Sequence, residues 1–125
     1  MKRQDKFVAV DCETLEWAGV SRPGDPAGAP AIRYRTVMRG GGGLPAVFMT
    51  EYEPHHVEPR HRHPEDEVLS IFSGELEVDG KTHRAPAVLF VGRGTLYGPL
   101  TAGPDGAGFF RVAYTQAMLA GPAEA

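Results

Sequence analysis

His61 and His63 stand two positions apart, Glu67 follows four later, and Gly74 lies seven beyond that, all within PRHRHPEDEVLSIFSG at 59–74. Residues two apart on a β-strand project to the same face. The two imidazoles can therefore aim at one point, and a neighbouring strand starting near Glu67 can bring a carboxylate to it. Two histidines and a carboxylate make a divalent-metal site of the facial-triad kind, with coordination positions left for water or substrate. Taken alone, an H-x-H pair is more often a solvated turn of His, Arg and Glu. The segments around the pair decide between the two readings.

Those segments carry a resemblance. His61-Arg62-His63, three residues, Glu67, six residues and Gly74 resemble, without a gap, the first signature of the cupin superfamily. The likeness covers roughly 45–114. It implies an all-β fold, a small double-stranded β-helix (jelly-roll) barrel. It also implies His61, His63 and Glu67 as metal ligands, with Gly74 closing the turn after the second strand. The second signature departs from the family. In FVGRGTLYGP at 90–99, Gly94 keeps a glycine, Gly92 stands where the family has proline, and Tyr97 stands where it has a third histidine. A phenol ionises near a pKa of about 10, so a metal must help it become a ligand. Tyr97 thus has three readings: a phenolate ligand, a hydrogen-bond donor to a metal-bound water or substrate, or a wall of the cavity.

The elements needed to hold these residues read as strands. Residues 32–39 place Ile32, Tyr34, Thr36 and Met38 on one face and Arg33, Arg35 and Arg39 on the other. Further strands are expected at 46–53, 59–63, 67–73, 75–79, 81–84, 87–91 and 108–114, with a break at Gly74 and a two-residue hairpin turn at Asp79-Gly80. Glycine and proline cluster at 19–30, 40–45 and 98–108, which read as loops. Short strands with frequent turns argue for a barrel or sandwich over a parallel α/β sheet. If Glu67 faces the interior, Leu69 and Ile71 do too, and Val68 and Phe72 face out. Ionisable side chains inside an apolar barrel are costly unless hydrogen-bonded or metallated.

A chain of 125 residues with 42% hydrophobic residues suits one domain: N-terminal strands and loops over 1–44, a barrel core over 45–114, and a tail over 115–125 that starts as a short helix. The net charge of −3 shows no basic excess, so nucleic acid is not an expected partner. No apolar run is long enough for a membrane helix, and the N-terminus lacks the pattern of a secretory signal. The lone Cys12 forms no internal disulfide, which fits a cytoplasmic setting. His55, His56 and His83 read as surface residues, and the arginine row of 33–39 as a solvated face. Arg111, set among Phe109, Phe110, Val112 and Tyr114, needs a partner, as a rim residue or a clamp on a substrate carboxylate.

The expected function is that of a metal-dependent small-molecule enzyme, with one divalent transition metal (Fe, Zn, Ni or Mn) per subunit. Iron would permit dioxygenase chemistry, and the others Lewis-acid isomerisation, decarboxylation or lyase chemistry. With Glu67 spent on the metal, Tyr97 or a metal-bound hydroxide is the nearest base. Tyr34, Phe48, Tyr52 and Arg111 are the expected substrate pocket. The alternative is a non-catalytic sensor: residues 15–26 loosely resemble the lead-in of cupin domains in anti-sigma proteins. A homodimer is expected, with the 7–17 segment exchanged between subunits.

Overall fold

The computed structural model describes residues 6–20 and 30–120. The expectations for 21–29, which include half of the lead-in segment and most of the first glycine-rich stretch, and for the ends of the chain lie outside the described residues. Among the described residues, eight strands run β1 (Ala18–Val20), β2 (Ile32–Gly41), β3 (Leu44–Tyr52), β4 (Val57–Glu58), β5 (Asp66–Val78), β6 (Lys81–Arg84), β7 (Ala87–Val91) and β8 (Leu100–Tyr114), and a short helix α1 (Gln116–Ala120) follows. All pairings are antiparallel. The order is β1-β2-β3-β8-β5-β6, with β4 added on β8 and β7 on β5.

Two long strands organise this network. Residues 67–71 of β5 lie between β7 and β8, whereas residues 76–78 lie between β6 and β8. Each long strand thus serves two sets of neighbours. The change of neighbours falls at register shifts between Ile71 and Ser73 and between Gly74 and Leu76, and bulges of this kind bend a strand.

The alternation along β5 is the one the sequence predicts. Glu67, Leu69, Ile71 and Leu76 are fully or almost fully buried, at 0%, 2%, 1% and 0% exposure, while Phe72 is 40% exposed on the other face. Leu69, Ile71 and Leu76 pack with Leu100, Phe109 and Tyr97 into one cluster. Each such aliphatic side chain stabilises the fold by roughly 1.5–3 kcal/mol.

Three expectations need correction. Residues 59–63 form no regular strand: β4 ends at Glu58, and His61 makes only an isolated bridge to Tyr97. Gly74 does not end a strand, because β5 runs through it. The 98–108 segment is mostly strand, since β8 begins at Leu100 despite Gly103, Pro104, Gly106 and Gly108. These glycines allow backbones to approach closely. A Cβ on Gly74, where φ is +68°, would lie 2.1 Å from the Gly106 carbonyl oxygen; one on Gly106, where φ is +80°, would lie 2.6 Å from the Tyr52 carbonyl oxygen. The Asp79-Gly80 turn is as expected, with φ positive at both residues.

Candidate active site

The two histidines are held by the segment that departs from the family signature. The His61 N–H donates to the Tyr97 carbonyl and the Tyr97 N–H to the His61 carbonyl, both at 3.0 Å. The Gly94 N–H donates to the His63 carbonyl at 2.8 Å. The 92–97 loop thereby places both imidazoles although no regular strand carries them. The rings meet edge to face with centroids 4.7 Å apart, and the Tyr97 ring lies 4.8 Å from His61 and 6.5 Å from His63. His61 Nδ1 lies 2.6 Å from the Pro59 carbonyl oxygen. A carbonyl only accepts, so Nδ1 is the donor here, and in the neutral ring the lone pair falls on Nε2.

Glu67 is the centre of a buried polar network. The Tyr97 hydroxyl donates to its Oε1 at 2.5 Å, and Arg111 Nε donates to its Oε2 at 2.6 Å. A second guanidinium nitrogen of Arg111 lies 3.5 Å from Glu65 Oε1. His63 Nε2 is 4.0 Å from Glu67 Oε1, beyond hydrogen-bond reach. The cost of burying this carboxylate is thus met by a phenol and a guanidinium.

The electrostatics follow from this packing. Burial lowers the pKa of His63, with Arg111 and His61 adding to the effect and Glu67 and Glu65 opposing it. Its imidazole is therefore neutral at pH 7. Burial, then the hydrogen bond to Glu67, push the Tyr97 pKa far above the ordinary phenol range. A phenol so placed is a donor and does not serve as a base.

These side chains form one wall of a cavity of about 500 Å³. Tyr34, Phe48, Tyr52 and Arg111, the residues predicted for a substrate pocket, all line it together with His61, His63 and Tyr97. Tyr34 packs edge-on against Phe48 at 6.0 Å and Tyr52 against Phe109 at 5.1 Å. Glu67 lies behind this wall, fully buried.

No protein-family model matches this chain, and no curated protein matches it in sequence. Solved structures do match. The polyketide cyclase RemF from Streptomyces resistomycificus aligns over 86% of this chain and 79% of its own, with a TM-score of 0.67 and 20% identity. An RmlC-like cupin from Shewanella frigidimarina aligns over 93% and 96%, with a TM-score of 0.61 and 16% identity. The iron(II) protein HppE aligns over 89% and 62%, with a TM-score of 0.67 and 13% identity. The chain has the cupin fold.

Within this cupin barrel, the donor set fits a metal in part. The two imidazoles are close together, and His61 is locked in the tautomer that leaves Nε2 free. Each oxygen of Glu67 already accepts one hydrogen bond, Oε2 from a guanidinium, so a metal would compete there with a fixed positive charge. Among the described residues, no three His, Cys, Asp or Glu side chains are grouped to hold a metal ion. Arg111 already faces two carboxylates, which argues against its use as a clamp for a substrate carboxylate.

Three surface assignments also change. The His56 side chain is only 10% exposed, lies 3.5 Å from Glu58 and meets the Tyr52 ring edge to face with centroids 4.9 Å apart. His83 is half-buried and lines a second cavity beside β6 and β7. The arginine row is no bare solvated face: Arg33 and Arg35 both lie 4.2 Å from the Trp17 ring, and Arg33 pairs with Glu51. Nothing in the spacing of Trp17 signals that contact. Sequence reasoning also missed Glu65 as a partner of Arg111, although an arginine inside an apolar strand demanded one.

Proposed function

We propose that this cupin is an enzyme acting on a small, largely apolar molecule, at a centre formed by His61, His63 and Tyr97 with one divalent transition metal per subunit. The observation that carries the reading is the meeting of two paired histidines with a phenol on one wall of a cavity lined mostly by aromatic and aliphatic side chains, with Thr50, Glu58 and Arg111 as its other polar groups. The cavity suits a neutral or weakly polar ligand, since its one cationic lining side chain is already matched by Glu65 and Glu67. Tyr34, Phe48 and Tyr52 would hold the apolar body by ring contacts. A bound metal would supply Lewis acidity or, as iron, dioxygen chemistry. The protein's own parts are clearer. Tyr97 keeps its proton and holds Glu67 in place, and His61 and His63 would be the side chains that hold the metal.

His61→Ala combined with His63→Ala should abolish stoichiometric metal, read by elemental analysis of protein purified without chelator. Full retention of metal by the double variant would place the site elsewhere. The same preparations, screened against small aromatic and alicyclic molecules, separate the enzyme from its alternative. A non-catalytic sensor or regulatory cupin would bind a ligand tightly and leave it unchanged. That alternative draws on one observation: the carboxylate and the phenol are both committed, so few groups remain for proton transfer.

The proposal extends to a homodimer in a cytoplasmic setting. Phe7 is 92% exposed at the start of the described chain, and Val88 and Phe90 are 70% and 63% exposed on the outer face of β7. Apolar side chains left in water at a sheet face favour association. Light scattering should give twice the 13.5 kDa chain mass at micromolar concentration. A monomer mass throughout that range would reject the dimer.

A further inference from the structure

Glu67 cannot be shared freely between a cation of the protein and a cation from solution. Its Oε2 takes a charge-assisted bond from Arg111 Nε at 2.6 Å, and its Oε1 takes the Tyr97 hydroxyl at 2.5 Å. Arg111 is positioned for this by the register of the sheet. It sits opposite Leu69 on β5 and Phe48 on β3, one inward-facing row from Glu67, which itself faces Ala113. Its guanidinium carbon stands 5.8 Å from the Phe48 ring centre, and its second carboxylate partner is Glu65 at 3.5 Å. A permanent positive charge therefore lies against the carboxylate, on a side chain that itself lines the cavity. A dication joining His63 and Glu67 would stand within a few ångströms of that charge, and repulsion at such range inside a protein is strong.

Resting on the reading above that the histidine pair takes a metal, we propose that Arg111 is the positioning residue that sets the metal affinity and preference of this site, by holding Glu67 out of coordination. The natural site is then a two-imidazole site. It favours nitrogen-seeking ions such as Cu²⁺, Ni²⁺ and Zn²⁺ and binds oxygen-seeking Mn²⁺ poorly. A neutral residue at 111 frees one carboxylate oxygen and removes the opposing charge, which converts the site to two imidazoles and a carboxylate.

The test uses the whole chain, stripped with chelator, titrated with Co²⁺ by visible absorption and with Mn²⁺ by calorimetry. Arg111→Met should bind Co²⁺ at least about tenfold more tightly than the natural protein and should gain measurable Mn²⁺ binding. Arg111→Gln, which keeps a donor towards Glu67 but no charge, should move the same way and covers the case in which the methionine variant does not fold. Arg111→Lys should stay near the natural affinity. Adding Glu67→Gln to Arg111→Met should erase the gain, because the effect runs through that carboxylate. If the natural protein binds Co²⁺ and both folded neutral variants bind it no better, the proposal for Arg111 fails while the histidine site stands. If neither the natural protein nor the variants bind Co²⁺, the metal reading and this inference fail together.

Discussion

Gly74→Ala is expected to cost at least about 4 kcal/mol of stability, enough to leave little folded protein at ambient temperature. Two independent effects add at this position. The backbone has φ +68°, a region that disfavours any residue with a Cβ. The new methyl would also lie 2.1 Å from the Gly106 carbonyl oxygen and 2.9 Å from its carbon. Those atoms are backbone and cannot turn aside as a side chain does. The two residues sit where β5 and β8 change neighbours, so relief requires one long strand to move against the other. Circular dichroism and urea unfolding of the soluble fraction measure the effect. Gly80→Ala is a suitable control, because φ is +82° there and nothing lies within 4 Å of the added atom. It should lose only about 1 kcal/mol. Equal losses at the two positions would show that the contact with Gly106 is unimportant.

Glu67→Leu is expected to be the most damaging change in the site, at about 3 kcal/mol. The substitution keeps an apolar side chain of similar size in a fully buried position, yet it strands Arg111 and the Tyr97 hydroxyl. An unpaired guanidinium is the larger part of the cost. It is moderated because Arg111 remains 22% exposed and keeps Glu65 at 3.5 Å, which sets the value at the low end for a broken buried pair. The informative comparison is the double variant Glu67→Leu/Arg111→Met. It removes both charges, so it should be more stable than Glu67→Leu alone. Urea midpoints with unchanged slopes give the comparison. A double variant that loses the sum of the two single losses would mean that Glu67 and Arg111 are not coupled, contrary to their 2.6 Å contact.

Much of the barrel was legible in the residues because it rests on local patterning. The alternation of Glu67, Leu69 and Ile71, and separately that of Leu76 and Val78, predicts which face is inside, and the burial of Glu67, Leu69, Ile71 and Leu76 agrees. Asp79-Gly80 predicts its turn because two adjacent positive φ angles require residues of that kind. Tyr34, Phe48, Tyr52 and Arg111, singled out by residue type as candidate pocket residues, line one cavity. The segment GPDGAG failed for an instructive reason. Glycine signals both a turn and a close approach of backbones, and nothing local distinguishes them. Only the passage of β5 against β8 shows that Gly106 serves the second purpose.

The sequence by itself therefore determined the type of fold and the inventory of the site: two histidines, a carboxylate, a phenol and an arginine in one barrel. Tertiary structure decided how they are paired. Spacing brings Glu67 near His63, but the carboxylate binds the partners that offer the strongest donors, and those come from Tyr97 and Arg111, 30 and 44 residues further along the chain. A charge buried in an apolar interior takes whichever counter-charge the fold delivers. That delivery depends on the register of β5 against β8, a long-range relation that short-range spacing does not encode.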